Sequence, residues 1–412
     1  MNNLSSTFLK LICYGSMKEA EPPDCSGFQQ WEELFKLSSM HNLIPVVYTA
    51  LSDSNVKKDI SLEAYGNFQK AAGVQCLRQA VSNKKLALLI NAMNCAGVHA
   101  IVFKGCALSS LYKESAARIS CDSDILISRA DYCKAVKVLE GQGYTYQKSD
   151  SQEEIKAFVS KGLDVDLHLR IWGSIKSKHI AAVEPLEIDS FEKSRTFMLG
   201  DTPVRTLGYE EHFIYLIVHF AKHFVTKGMG IRHLLDITLY YNEYEENINT
   251  NRVWNTISDM GFEQLCLNVF TICCEYFKMS RSIFIEDKKI RNLVEPLLDD
   301  IIDAGAFGSA PERSTTFSVV KESYYLGLKH NRGPLLFLHM LFPHPIALPK
   351  RYLYAQKHRF LLPAAWLHRL CSFFYNRVIK NKRVNLIESI QVGNKRIQLL
   401  ESLELIPQDT AD

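Results

Sequence analysis

Apolar positions along the chain follow two different periods, and the period changes twice. Up to residue 97, apolar side chains such as those between Phe28 and Phe35 recur every three to four residues, as on the buried face of a helix. Residues 62–95 contain few helix breakers and predict one long helix or two, which Gly97 ends. We therefore predict a helical N-terminal region over residues 1–97.

Short apolar runs then alternate with helical patterns. Residues 98–103 (VHAIVF) predict a buried strand, and residues 122–128 and 163–170 predict two more. Residues 130–140 predict a helix between the second and third of these strands. This order is typical of a small mixed sheet covered by helices, so we predict an α/β catalytic domain over residues 98–208.

The remaining sequence returns to helical spacing. The pattern is clearest at residues 212–224 and 231–244, and a loop rich in small residues at 303–316 is a candidate internal boundary. We predict an all-helical C-terminal domain over residues 209–412. The fold class predicted from the whole pattern is α+β and mostly helical, with a small mixed β-sheet flanked by helical N- and C-terminal regions.

Composition and charge narrow the functional classes. The chain carries 48 basic and 45 acidic residues, and this balance disfavours a protein whose main task is to coat nucleic acid. Its 11 cysteines include no C-x-x-C pair, which disfavours a disulfide scaffold or a zinc ribbon. The first residues lack a basic leader, and no window reaches the roughly 20 apolar residues of a membrane span. We expect a cytoplasmic protein with no membrane span and leave its oligomeric state open.

Two D-x-D segments are the strongest chemical signal. Asp122 and Asp124 lie in one predicted strand, and Asp164 and Asp166 lie in another. Side chains at positions i and i+2 of a strand share a face, so Asp166 joins the first pair if the two strands are neighbours. Three carboxylates are suited to hold Mg²⁺, or Mn²⁺, and to clamp a triphosphate. We predict Asp122, Asp124 and Asp166 as the catalytic and metal-binding residues, and leave a direct role of Asp164 open.

A second set of residues is suited to bind phosphate. Lys104 and Gly105 lie at a predicted strand-to-helix turn, where glycine permits a close backbone approach and free N–H groups attract anions. Arg118 precedes the first aspartate pair and could neutralise a leaving pyrophosphate. His168 and Arg170 lie on the polar face of the later strand. For these two residues we leave two roles open. They could contact phosphate or the acceptor, or they could form local ion pairs with Asp164 or Asp166.

Together these motifs resemble the uncharacterised nucleotidyltransferase family of bacteria, a branch of the polymerase-beta-like nucleotidyltransferases. The resemblance rests mainly on the block from Phe103-Lys104-Gly105 through Arg118 and Asp122-Ser-Asp124-Ile-Leu-Ile to Val165-Asp166-Leu167-His168. It implies transfer of a nucleoside monophosphate from a nucleoside triphosphate, with ATP the expected donor, to a hydroxyl of an unidentified acceptor, with release of pyrophosphate. A protein, a peptide, a metabolite and an RNA end all remain open as the acceptor.

The motifs depart from the wider superfamily at two points. Lys104-Gly105 replaces the usual Gly-Ser at the turn, and Cys121 replaces the usual glycine before the first aspartate. Neither change removes a metal ligand. The alternative function is a non-catalytic, antitoxin-like member of the same fold that binds nucleotide or protein. A nucleotide-sugar glycosyltransferase is disfavoured, because about 97 helical residues precede the first D-x-D segment.

Three other patterns have simpler structural interpretations. His219 and His223 have the i, i+4 spacing of a metal pair, but we expect packed histidines. Asp236 is expected to cap its helix or to pair with Arg232. Residues 350–396 hold 11 Lys or Arg and one acid, and we expect the solvated basic face of a helical cap rather than a nucleic-acid or membrane surface.

Overall fold

The computed structural model of the protein describes residues 2–56, 60–147, 155–160, 162–171, 190–285, 290–305, 341–345, 348, 350–378 and 386–406. Its internal contacts divide the chain into two units. The first comprises Met1–Ile217, Arg232–Met260 and Ile272–Glu286, and the second comprises Val218–Ile231, Gly261–Thr271 and Asp287–Asp412. The N-terminal helices and the sheet therefore belong to one unit. Most of the predicted boundary loop at 303–316 lies outside the described residues.

Helices dominate the described residues. In chain order they are α1 (Asn3–Ser16), α2 (Trp31–Met40), α3 (Ile44–Leu51), α4 (Leu62–Cys95), α5 (Cys106–Ser109), α6 (Tyr132–Gly141), α7 (Tyr209–Lys227), α8 (Arg232–Tyr244), α9 (Thr250–Asp259), α10 (Glu263–Phe277), α11 (Val294–Ala304), α12 (Leu353–Lys357), α13 (Leu362–Val378) and α14 (Leu386–Ser402). The predicted run at 62–95 is a single helix of 34 residues. The Ser61 side chain starts it by accepting a hydrogen bond from the Ala64 N–H at 3.2 Å.

Seven strands form one mixed sheet in the order β3-β4-β5-β2-β1-β7-β6. The strands are β1 (Ile101–Phe103), β2 (Asp122–Leu126), β3 (Thr145–Gln147), β4 (Ile155–Ser160), β5 (Leu163–His168), β6 (Arg195–Leu199) and β7 (Thr202–Thr206). The pairs β2–β5 and β1–β7 are parallel, and the other pairs are antiparallel. The predicted α+β, mostly helical class with a small mixed sheet is confirmed.

One face of the sheet is covered by the second half of α4. Ile90 and Met93 of that helix are buried in one cluster with Ile125 of β2 and Val165 of β5. Full burial of such a side chain contributes about 1.5–3 kcal/mol, so this contact fixes which face of each strand is apolar. Because strand side chains alternate, the neighbouring polar positions of β2 and β5 project from the opposite face.

The second unit has its own buried core. In α11, Leu297, Leu298 and Ile301 are buried. Arg396 is 2% exposed, and it donates hydrogen bonds to Asp300 and to the carbonyl oxygen of Phe224. This residue of the predicted basic cap is therefore an internal ion-pair partner and not part of a solvated face.

The described residues contain no helix that combines the length and the apolar character needed to cross a bilayer. The ring centroids of His219 and His223 lie 4.5 Å apart on α7. The metal-capable group that occurs among the described residues does not include either histidine.

Candidate active site

The parallel pairing of β2 with β5 brings the two D-x-D segments together. Asp122 lies opposite Asp164, and Asp124 lies opposite Asp166. The two pairs are in register, so the four carboxylates lie on the polar face that the alternation predicts. In the sheet order, β2 and β5 are adjacent strands. The sequence analysis required this adjacency but could not derive it.

Asp124 is the centre of a buried polar network. Its Oδ1 accepts a hydrogen bond from Lys104 Nζ at 3.0 Å and lies 2.8 Å from His168 Nε2. Asp124 is 6% exposed and His168 is 5% exposed. The Phe103 ring packs edge-on against the His168 ring, with 5.2 Å between the centroids. The strand β1 thus supplies both the lysine turn and the apolar wall beside the carboxylates.

Asp124, Asp166 and His168 could hold a metal ion. One potential ligand atom from each lies within 4.8 Å of the other two. The Nε2 atom of His168 faces Asp124, while its Nδ1 atom is buried and has no hydrogen-bond partner among the described residues. Such an orphaned polar atom fits a site that gains a ligand, because an unsatisfied buried nitrogen otherwise costs free energy. Asp122 lies outside this group of three, at the exposed start of β2.

The electrostatics of the site also fit a cation. Burial raises the pKa of Asp166, and the Asp124 and Asp122 carboxylates add to the rise. Partial removal of water from around Asp122 and the charge of the Asp124 carboxylate likewise raise the pKa of Asp122. Burial alone would raise the pKa of Asp124, but Lys104 and His168 outweigh it and hold that pKa well below its usual range. A divalent cation would relieve the repulsion among the three carboxylates.

The Lys104–Gly105 turn has a strained backbone. Lys104 has φ +60° and Gly105 has φ +37°, in the left-handed region that side chains disfavour. The Lys104 N–H donates to His212 Nε2 at 3.3 Å. A Cβ at position 105 would lie 3.1 Å from Ser120 Oγ, a tight contact that adds to the preference for glycine set by its φ. Gly105 precedes α5 directly, as predicted for a phosphate-binding turn.

Arg118 is held by an aspartate from α8. Its Nη2 donates to Asp236 Oδ2 at 2.7 Å, and its Nε donates to Asp236 Oδ1 at 3.3 Å. Tyr112 donates to the same carboxylate at 2.8 Å. The expected pair of Asp236 with Arg232 is replaced by this pair, and Arg232 instead donates to the Ile119 carbonyl at 2.7 Å. The triphosphate contact of Arg118 stays a prediction, since this guanidinium already has a carboxylate partner.

These contacts fasten the segment that leads into β2. Arg118 Nη1 donates to Ser120 Oγ at 2.6 Å. Gln79 of α4 is 4% exposed and accepts from the Ser120 N–H at 2.7 Å. The position of Asp122 therefore depends on Asp236 of α8, for which the sequence analysis expected another partner, and on Gln79 of α4, which it did not single out. A polar residue such as Gln79 on the otherwise apolar face of α4 is the signal that could have indicated this role.

A cleft of about 670 Å³ opens beside the starts of β2 and β5. The outer side of α4, residues 119–121 and residues 162–164 line it, and Asp164 is among them. Its walls mix apolar side chains such as Leu77 with polar ones such as Gln75. Within the described part of the chain, the buried Gln75 Oε1 atom has no hydrogen-bond partner. Such a mixture is typical of small-molecule or peptide sites.

Arg170 follows the strand that carries Asp166, and Tyr215 lies near the lysine turn. Arg170 lies two residues beyond the end of β5 and is half-buried. Tyr215 of α7, which the sequence analysis missed, is 4% exposed, and the Lys104 ammonium lies 5.2 Å from its ring centroid. Its spacing on an apolar helix gives no signal of this contact, because the helix period alone does not tell which neighbour a side chain meets.

A mixed sheet with carboxylates from adjacent parallel strands, beside a glycine turn at a helix start, is suited to metal-assisted nucleotidyl transfer. The sequence profile of the family described as "Uncharacterised nucleotidyltransferase" matches residues 28–278, which is more than half of the chain. The chain belongs to this family, and the resemblance noted from its motifs is confirmed. The match supports transferase activity of the nucleotidyl type. A search of curated proteins finds no match.

Proposed function

We propose that this protein is a metal-dependent nucleotidyltransferase. It would transfer a nucleoside monophosphate from a nucleoside triphosphate, with ATP the expected donor, to a hydroxyl of an acceptor and release pyrophosphate. The register that sets Asp124 opposite Asp166, with His168 within reach of both, carries the proposal. Family membership gives the reaction class, and the carboxylates give the site. We place the protein in the cytoplasm.

Each site residue has a proposed role. Asp124 and Asp166, with Asp122 at the rim, would hold Mg²⁺ or Mn²⁺, and His168 is a further candidate ligand. The cation would supply neutralisation of the triphosphate charge and activation of the acceptor hydroxyl. Asp166 would also accept the hydroxyl proton.

Phosphate binding would fall to the turn before α5. Lys104 supplies a cation next to the carboxylates, and Gly105 permits a close approach of the backbone to the phosphates. His168, Arg118 and Arg170 remain candidates for further phosphate contacts. Of these, Arg118 acts in the structure as an anchor of the segment before β2.

The cleft beside Asp164 would admit the acceptor. It reaches Asp164, the position paired with Asp122, and so adjoins the carboxylates from the side of the strand starts. Among the described residues, the lining includes one basic residue, Arg78, together with amides and aliphatic side chains. This chemistry favours a peptide, protein segment or small metabolite over an RNA end, because RNA sites require several cations and aromatic stacking surfaces.

One observation favours a second candidate, a non-catalytic binding member of the fold. The Asp124 oxygen is already engaged by both Lys104 and His168, so that a metal ion has to compete for it. A protein that only binds a partner or a nucleotide could keep this closed arrangement permanently.

The test is turnover by the purified full chain. Each labelled nucleoside triphosphate is incubated with Mg²⁺ and cell extract, and release of pyrophosphate and transfer of label are measured. Asp124→Asn should lower the rate at least about 100-fold, which corresponds to the several kcal/mol that a bound metal contributes. The control Asp259→Asn changes an exposed aspartate at the end of α9 and should leave the rate unchanged.

Three outcomes separate the candidates. Full activity of Asp124→Asn contradicts the catalytic assignment. A wild type that binds triphosphate without turnover supports the binding protein. A wild type that neither binds nor turns over any triphosphate contradicts nucleotidyl transfer and leaves protein binding.

A further inference from the structure

Lys104 holds a position inside the carboxylate cluster. Its Nζ lies 3.0 Å from Asp124 Oδ1, and its side chain is 20% exposed. Aromatic rings flank the ammonium, with centroids 5.7 Å away for Phe103 and 5.2 Å away for Tyr215. The charge is thus placed against a metal-capable carboxylate and beside two aromatic rings, with part of the side chain open to solvent.

The backbone keeps the lysine in this place. The left-handed φ of Lys104 is rare for a residue with a side chain, and the N–H bond to His212 supports it. Burial, assisted by the charges of Arg195, Lys104 and Arg118, lowers the pKa of His212 to about 3, so its imidazole is neutral and Nε2 can accept this bond. The backbone conformation and its hydrogen bond thus fix the Lys104 main chain at the turn, and the Asp124 carboxylate holds the ammonium.

A metal ion and the ammonium cannot share Asp124 without conflict. Asp124 Oδ1 already receives the ammonium at 3.0 Å and faces His168 Nε2 at 2.8 Å. Two cations on one carboxylate repel, and the repulsion is strong where water is excluded. Lysine has a flexible four-carbon stem, however, so its head can turn from the carboxylate to a nearby phosphate while the backbone stays fixed.

We propose that Lys104 is an internal counter-cation, which occupies the carboxylate cluster until a triphosphate draws it away, so that the metal ion binds together with the triphosphate and only weakly alone. This inference rests on the proposed function, because it requires a triphosphate beside the turn. It explains the presence of a lysine at this turn, because the Lys104 ammonium would neutralise the carboxylates before substrate binds and the phosphates afterwards. The coupling is reciprocal, so the metal ion must also favour binding of the triphosphate.

The experiment uses the full chain and probes that do not depend on the unknown base. Mn²⁺ binding is titrated by electron paramagnetic resonance without any phosphate, and binding of inorganic tripolyphosphate is measured by calorimetry. Lys104→Gln should bind free Mn²⁺ at least about tenfold more tightly and tripolyphosphate at least about tenfold more weakly than the wild type. General damage to the fold would weaken both, so the opposite signs identify the counter-cation.

Two control variants sharpen the result. Lys104→Arg keeps the positive charge and should keep the weak binding of free Mn²⁺. Lys134→Gln makes the same change of net charge at a side chain that is 59% exposed, and should leave both affinities unchanged.

The inference is overturned if folded Lys104→Gln binds free Mn²⁺ no more tightly than the wild type. It is also overturned if the wild type binds Mn²⁺ as tightly without tripolyphosphate as with it, a comparison that needs no variant. A wild type that shows the coupling but transfers no nucleotide would contradict the proposed function and leave this inference standing.

Discussion

The ion pair between Arg118 and Asp236 tests whether the segment before β2 is held from α8. Their side chains are 4% and 2% exposed, and Tyr112 donates to the same carboxylate. Removing one partner of a buried ion pair costs about 3–5 kcal/mol, because the remaining charge is left without compensation. We therefore expect Asp236→Leu to lower the free energy of unfolding by about 3–5 kcal/mol.

A double variant separates the charge from the lost contact. Arg118→Met combined with Asp236→Leu removes both charges, and replacement of a buried pair by apolar side chains is often close to neutral. We expect the double variant to be more stable than Asp236→Leu by at least about 2 kcal/mol. The assay is urea unfolding followed by circular dichroism, with all variants at the same pH and salt concentration.

A surface pair provides the matched control. Lys134 lies 3.9 Å from Asp131 and is 59% exposed, so Lys134→Ala should change the unfolding free energy by no more than about 1 kcal/mol. A loss below about 1 kcal/mol for Asp236→Leu, or a double variant no more stable than Asp236→Leu, would refute the reasoning.

Two further predictions concern the cleft and His212. Ser82→Trp fills the cleft and should therefore slow nucleotidyl transfer to the acceptor. Binding of tripolyphosphate, measured by calorimetry, should stay unchanged. Weakened binding of tripolyphosphate would place the phosphates in the cleft instead. His212 has a pKa of about 3 in the folded protein, because burial disfavours its charged form, against about 6.5 in the unfolded chain. Between these two pH values the unfolded state therefore binds one more proton than the folded state. The stability of the fold that depends on neutral His212 is fully present above pH 6.5 and is lost as the pH falls toward 3. The wild type should lose up to about 1.4 kcal/mol per pH unit there, and His212→Gln should show a smaller slope in urea unfolding; equal slopes would contradict the assignment.

Some features of the sheet carried a sequence signal that was overlooked. Strands β6 and β7 form an antiparallel hairpin closed by Gly200 and Asp201. Two alternating runs separated by a Gly-Asp pair are a recognised hairpin pattern, and Gly200 has φ +59°. The strand β4 had no comparable signal. It pairs with β5 only two residues further along the chain, Ser160 opposite Leu163, and its own residues do not alternate between apolar and polar as those of β5 do.

Local period was sufficient to place side chains on faces. The alternation in Asp164-Val-Asp166-Leu-His168 assigns the carboxylates and the histidine to one side of β5, and the structure buries the leucine and valine on the other. This succeeds because the two-residue period of a strand is a property of the backbone and needs no knowledge of the neighbours. The long helix α4 was predicted, as one helix or two, from the scarcity of helix breakers over residues 62–95.

Pairings between distant residues were decided only by the tertiary structure. The contact of Asp124 with His168 spans 44 positions, and that of Arg118 with Asp236 spans 118. Nothing in the spacing distinguishes Asp236 as the partner of Arg118 rather than of Arg232, because both choices satisfy local rules. The packing of the apolar faces of α4 and the sheet decides which strands are neighbours, because it removes apolar area from water over the whole unit. The buried polar groups then pair with the partners that this packing brings within reach. This is why Asp124 contacts Lys104 and Arg118 contacts Asp236.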